Sequence, residues 1–375
     1  VNTVGIAACH NYDGAAVKRA LAEALRPCGG MGKYVRPGAA VLVKPNLLAA
    51  ASPDEAVTTH PAVVKAVIEL VQEAGGRAYV GDGPMKSPLP VVAKECGISA
   101  VLEQTGAQLL SIEKAVVFHT ESGSLQRSFS LSAEALNMDI IINTAKLKTH
   151  NLTGITAAVK NCYGLVPGNM KKYYHLRHPL PADFAELLLD LYLAVKPTLS
   201  IVDAVVAMEG HGPRSGRPRP VGALLASADG VALDAACAEL AGFSYEEICT
   251  LQAAVKRRML VPGGGNVQVK GPLQELKPEN FNKGAARGGY SFLWRYFPSL
   301  MRNMQEKRRP WPVIGSRCTN CGDCAGHCPS GVITASPARD RARIDYDGCL
   351  RCYCCLEICP AGAVQLAKKK PSRER

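Results

Sequence analysis

The first 280 residues alternate between short apolar runs and longer stretches with apolar positions at helical spacing. Residues 39–43 are a short apolar run bounded by Pro37-Gly38 and Lys44-Pro45, which predicts a buried strand. Residues 61–74 place Val63, Val64, Val67, Ile68 and Val71 on one helical face, and Gly75-Gly76 supplies the stop. Strands follow at 77–80, 139–143 and 199–206, and helices at 184–195 and 231–241. Strands separated by helices predict βαβ units. The expected fold class is α/β, with a largely parallel sheet and helices on both faces.

The pattern changes after residue 286. Residues 287–315 carry both Trp residues, a dense aromatic group and the basic run Lys307-Arg308-Arg309, and read as an aromatic and basic linker. Basic residues beside Trp and Phe also allow peripheral membrane contact through 288–311. Within 316–366 one cysteine pattern appears twice, as C-x2-C-x2-C-x3-C-P. The first copy is Cys318, Cys321, Cys324 and Cys328, the second Cys349, Cys352, Cys355 and Cys359. This is the run with which bacterial ferredoxins hold [4Fe–4S] clusters, the fourth Cys of each copy ligating the other cluster. One cluster is then expected on Cys318, Cys321, Cys324 and Cys359, the other on Cys349, Cys352, Cys355 and Cys328. A disulfide framework or two zinc sites leaves the C-P ending unexplained. The expected organisation is an α/β body at 1–286, the linker at 287–315, a small α+β ferredoxin-like dicluster domain at 316–366 and a basic tail at 367–375.

Of fifteen Cys, seven are not part of the repeated pattern and are scattered, Cys354 within the second run, which fits a reducing cytoplasm better than a disulfide scaffold. No stretch is long and apolar enough for a membrane span, and residues 1–14 lack the pattern of a secretory leader. The net charge of +12 suits an anionic substrate, an acidic redox partner protein or an anionic membrane surface. Nucleic acid is disfavoured, because no reader motif accompanies the charge. Nucleotide chemistry finds no P-loop and no G-x-G-x-x-G after a strand.

The polar residues of the body cluster after its strands. Lys44-Pro45-Asn46 follows the first strand, Gly81-Asp82-Gly83-Pro84 the next. Lys146, Lys148, Thr149 and His150 follow 139–143, and Glu209, His211 and Arg214 follow 199–206. Ligands of open parallel sheets bind outside the carboxyl ends of the strands. These loops therefore predict one anion-binding or catalytic cleft, with Lys44, Asn46, Asp82, Lys146 and His211 binding substrate and Lys148 and His150 catalytic; Lys160, behind the apolar run Ala157-Ala158-Val159, joins them as a candidate catalytic nucleophile or anion clamp. Thr58 or Thr59 is the expected cap of the helix opened by Pro61.

Lys44-Pro45-Asn46, Thr59-His60-Pro61, Gly81-Asp82-Gly83-Pro84 and KLKTHNLTGITAAVKNCYGLVPG (146–168) resemble domain of unknown function family 362, over roughly residues 1–260. A ferredoxin run fused behind it is known in that family. His150, Gly154, Lys160, Gly164 and Pro167-Gly168 bear a more distant resemblance to the core motif of nickel-pincer lactate racemases. That resemblance implies a Lys160 able to attach a pyridinium-type nickel cofactor. The further His residues of those racemases have no matching context among His60, His175, His178 and His211.

Three functions follow as expectations. The first is a redox enzyme or subunit that relays low-potential electrons through two [4Fe–4S] clusters to the cleft, where an additional unidentified cofactor is also possible. The second is an electron carrier or adaptor that docks to a partner enzyme. The third is a nickel-pincer-like racemase or isomerase with accessory clusters.

Overall fold

The computed structural model describes residues 1–284, 309–336 and 338–371. The expected membrane contact at 288–311 falls almost wholly outside them, as do the last four residues of the basic tail.

The body is built on a nine-stranded sheet. In chain order, with an outlying hairpin included, the strands are β1 (Asn2–Ala8), β2 (Ala40–Pro45), β3 (Arg77–Val80), β4 (Gln108–Leu109), β5 (Ala115–His119), β6 (Ser128–Ser132), β7 (Ile140–His150), β8 (Gly154–Thr156), β9 (Leu199–Glu209), β10 (Arg217–Ser227) and β11 (Val267–Lys270). β5 and β6 form the separate antiparallel hairpin. The sheet order is β11-β1-β10-β9-β7-β2-β3-β4, with β8 folded back on the end of β7. β9, β7, β2, β3 and β4 pair in parallel, so the sheet is mixed but mostly parallel. β10 runs against both of its neighbours.

Alternation along each strand separates two apolar layers. Ile140 and Ile142 of β7 pack with Ile201 and Val205 of β9, against the helices Gly14–Leu25 and Pro61–Glu73. Ile141, Ala145 and Leu147 face the other way with Val202 and Ala204, against Pro181–Val195 and Gly230–Leu240. Covering both faces explains why the strands read as continuous apolar runs. The helix Pro61–Glu73 is capped differently from expectation. His60 is the cap residue, its Nδ1 accepting from Ala62 N. Thr59 is drawn inward instead, its Oγ1 donating to Thr144 O and accepting from Asn46 N.

The strand at 139–143 also runs further than its apolar core. β7 continues to His150, so Lys146, Lys148 and His150 lie on a strand and not on a loop. A register shift between Lys146 and Lys148 interrupts its pairing with β9. The C-terminal segment adds β12 (Trp311–Ile314), β13 (Ile333–Thr334), β14 (Arg343–Ile344) and β15 (Val364–Ala367). β12 pairs with β15 and β13 with β14, and the short helices Asp323–Gly326 and Cys354–Ile358 pack between them.

Candidate functional site

The carboxyl ends of β2, β3 and β7 open into a cleft lined by Asp82, Lys148, Thr156, Lys160, Lys171 and Glu357, among others. Lys44 leaves the end of β2 fully buried, 2.8 Å from Asp82 Oδ1. The other oxygen of Asp82 accepts from Leu47 N at 2.6 Å. Gly164 packs against this pair, where a Cβ would fall 1.9 Å from Asp82 Oδ1 and 2.7 Å from Lys44 Nζ. Only glycine leaves room for the buried ion pair.

Lys148 has neutral hydrogen-bond partners. Its ammonium donates to Asn46 Oδ1 at 2.7 Å and to Val57 O at 2.8 Å. Asn46 donates in turn to Asn161, and Asn161 to Asn143, so a chain of amides fixes the lysine. Burial, with the nearby charges of Lys160 and Lys146, holds the Lys148 pKa well below the usual lysine range. Lys171 is bonded to Gly83 O, and burial lowers its pKa to about 8.

Lys160 sits on the short helix Ala158–Asn161. Asp234 anchors that helix by accepting from Ala158 N at 2.6 Å and Val159 N at 3.2 Å. The Lys160 ammonium lies 5.8 Å from the centre of the Tyr163 ring. Burial depresses its pKa, against the opposing pull of Glu357.

His150 lies behind the cleft wall, against Glu357. Its Nδ1 accepts from Leu152 N and Thr153 N, both at 3.2 Å, so the neutral ring carries its proton on Nε2. That nitrogen lies 3.1 Å from Glu357 Oε1, and His175 Nε2 lies 3.5 Å from Glu357 Oε2. Neither Nε2 of His150 nor Oε1 of Glu357 completes an aligned hydrogen bond. Burial lowers the His150 pKa to about 4 and the His175 pKa in the same direction. Burial opposes the charge on Glu357, but His175, Lys160 and His150 outweigh it and hold the carboxyl below its usual range.

Glu357 belongs to the cysteine segment, midway between Cys355 and Cys359. Further contacts tie that segment to the body. Lys86 pairs with Asp323, Arg214 Nη1 donates to Ile358 O at 2.9 Å, and His327 Nε2 lies 3.0 Å from Met85 O. Asp323, His327 and Ile358 each immediately precede a Cys of the repeated pattern.

Not every candidate reaches the cleft. Lys146 turns to Asp203 at 2.9 Å and Tyr12 OH at 2.8 Å, and Asp203 also accepts from His60 N. That cluster, with Tyr12 stacked on His60 at 3.5 Å, has its polar groups mutually satisfied. His211 is exposed, its carbonyl accepting from Ser215. Glu357, His175, Lys171 and Thr156 were absent from the expected site. A usable signal existed for Glu357, since the first cysteine run has Gly326 at the matching position.

The eight patterned cysteines line two cavities. Cys318, Cys321, Cys324 and Cys359 share one with Ile314, Ala342 and Val364. Cys328, Cys349, Cys352 and Cys355 share the other with Val332, Ile333 and Ile344. Each cavity thus offers four thiols in an apolar setting, a donor set suited to an iron–sulfur cluster. Among the described residues, no three His, Cys, Asp or Glu side chains converge to hold a single metal ion.

The pattern described as Domain of unknown function (DUF362) matches residues 41–239, more than half of the chain. The chain belongs to the DUF362 family. A 4Fe-4S dicluster domain matches residues 317–363 of this DUF362 protein, which makes it an iron–sulfur protein of electron transfer. It is 38% identical over 254 residues to the thylakoid-associated protein sll1697 of Synechocystis, covering 68% of this chain and 78% of that one. It is 33% identical over 110 residues to NADH-quinone oxidoreductase subunit I of Pelobacter propionicus, covering 24% of this chain and 55% of the relative. Over 54 residues it is 35% identical to pyruvate synthase subunit PorD of Methanothermobacter marburgensis, covering 14% of this chain and 60% of that subunit. Among solved structures it is similar to the lactate racemase apoprotein of Thermoanaerobacterium thermosaccharolyticum, with a TM-score of 0.43 and 12% identity over 64% of this chain and 57% of that one. No helix among the described residues is long and apolar enough to cross a membrane.

Proposed function

We propose that this DUF362 protein delivers electrons to a small anionic molecule, or to a further cofactor, held in the Lys148–Lys160 cleft. One observation carries the reading: the cleft wall contains Glu357, a residue lodged between two cysteines of the repeated pattern. A segment that served only to carry electrons elsewhere has no need to place a side chain there.

Cys318, Cys321, Cys324 and Cys359 would hold one [4Fe–4S] cluster, and Cys328, Cys349, Cys352 and Cys355 the other. When bound, such clusters supply one-electron transfer at low potential. The body residues bind and orient. Lys148 and Lys160 present positive charge to an anion, and Thr156 Oγ1 is a buried group without a protein partner. His150 presents its Nε2 proton toward Glu357, where it can move to a substrate that displaces the carboxylate. Asp82 is neutralised by Lys44 and shapes the cleft without repelling an anion.

The subunit I and PorD relatives are named as parts of larger redox enzymes, which supports a protein redox partner for this chain. The test is reoxidation of the dithionite-reduced, anaerobically prepared protein by a panel of small carboxylates and oxyanions. An acceptor whose reduction is abolished in Lys160→Ala and His150→Ala proteins with intact cluster spectra supports the reading. An acceptor reduced equally fast by those variants contradicts it.

A further inference from the structure

The sequence Arg339-Asp340-Arg341-Ala342-Arg343-Ile344 leads into and forms β14. Arg339 and Arg341 lie in the turn before β14 and Arg343 opens the strand, and all three border one groove, while Ala342 is almost fully buried. The three guanidiniums line a broad open groove, which also holds Asp345 and so keeps an excess of positive charge. Arg339 and Arg343 are exposed and Arg341 is half-buried.

The floor of this groove is what gives it a purpose. Ile314 and Ala342 line both the groove and the cavity of Cys318, Cys321, Cys324 and Cys359. Val332 and Ile344 line both the groove and the cavity of Cys328, Cys349, Cys352 and Cys355. A single apolar layer thus separates the groove from each set of thiols. Different residues of the segment, Asp323, His327, Glu357 and Ile358, face the body.

We infer that this groove is the docking surface for an acidic one-electron carrier protein, which loses one electron there as a cluster gains it. The inference rests on the relay reading above and names its entry point. Charge complementarity selects an acidic partner and speeds its encounter. A lipid surface or a nucleic acid would use the rim charges but gives no reason for a floor shared with both thiol cavities.

The probe is a reduced acidic bacterial 2[4Fe–4S] ferredoxin, compared with reduced methyl viologen as a small donor that needs no docking. Stopped-flow reduction of the anaerobic full chain is measured at low and high salt, and binding of the oxidised ferredoxin by calorimetry. Arg339→Glu/Arg343→Glu is compared with Lys368→Glu/Lys369→Glu, an equal charge change at exposed positions of the same segment. The expected result is a loss of about tenfold or more in ferredoxin rate and affinity for the arginine variant alone. Its viologen rate stays unchanged, which shows that its clusters are intact. Equal losses in both variants would mean non-specific attraction and overturn the proposal. So would an unaffected ferredoxin rate, including one accompanied by loss of binding to anionic phospholipid vesicles. Failure of viologen to reduce the wild-type protein would instead remove the relay reading.

Discussion

Glu357 Oε1 lies 3.1 Å from His150 Nε2, joining the second cysteine run to the end of β7. Two unrelated parts of the chain therefore share one buried polar site. Glu357 is 3% exposed and His150 fully buried, so neither has water to fall back on. Replacing Glu357 with Ala removes the carboxylate that faces the buried Nε2 proton of His150. The expected cost is about 1–3 kcal/mol of stability, read from anaerobic urea unfolding. Glu357→Gln should recover part of that cost, because an amide oxygen still faces the ring.

Arg214 makes a second tie. Its guanidinium donates to Ile358 O at 2.9 Å and lies 3.5 Å from Asp323. A hydrogen bond from a charged donor contributes about 1.5–3 kcal/mol. Arg214→Ala should loosen the chain just before Cys359 and hasten loss of cluster absorbance in urea or air. Arg214→Lys should lie between, having charge but no planar fork. A bleaching rate equal to wild type in Arg214→Ala would show that this contact does not hold the segment.

Gly164 tests the buried pair beside the cleft. Its substitution by Ala forces a methyl group into Asp82 and Lys44. Overpacking of this kind costs about 1–3 kcal/mol, and more if the ion pair separates. The unfolding midpoint should fall accordingly, whereas Gly168→Ala, with open space around its Cβ, should show only the milder cost of a positive φ.

The pH dependence of stability should carry two opposite contributions. Burial lowers the His60 pKa from 6.5 to about 4, Asp203 opposing it and Lys146 reinforcing it. The neutral ring is favoured in the fold, so its contribution is present above pH 6.5 and is lost as pH falls toward about 4. His60→Asn keeps a capping acceptor and should flatten that loss. Asp234 behaves in reverse. Burial raises its pKa from 3.8 to about 7 despite the two backbone donors. Its contribution is present below pH 3.8 and is lost as pH rises through about 7. Asp234→Asn should remove that decline, but its amide offers one acceptor for two N–H groups and lowers stability at acid pH. Urea midpoints between pH 4 and 8 for wild type and both variants decide the signs.

Much of the fold was legible because the strands are buried on both faces. Residues 77–80 form β3 as expected, and the helix starting at Pro61 ends at Glu73, one residue short of the expected stop. The end of β7 was not legible, since Lys146, Lys148 and His150 look like loop residues until their buried partners are known. Lys44, Asn46, Asp82, Lys148, His150 and Lys160 gather at or beside the cleft because the ends of β2, β3 and β7 converge there. Lys146 does not, because it lies opposite Asp203 in the β7–β9 register and pairs with it there. Glu357 was hidden for another reason. Its partners lie some 200 residues earlier, and no local pattern reports how one segment docks on another.

If the cleft and the cysteine cavities form one electrical unit, a charge in the cleft must be felt by the clusters. An EPR-monitored redox titration of the wild-type and Lys160→Met proteins, prepared anaerobically with iron and sulfide counted, measures this. The expected result is about eight irons and eight sulfides per chain and two interacting reduced clusters. Removing the Lys160 charge should lower the midpoint potentials by roughly tens of millivolts, on the order expected for a nearby, poorly solvated charge. Roughly four irons per chain, by the same ligand arithmetic, or potentials unmoved by Lys160→Met would contradict it.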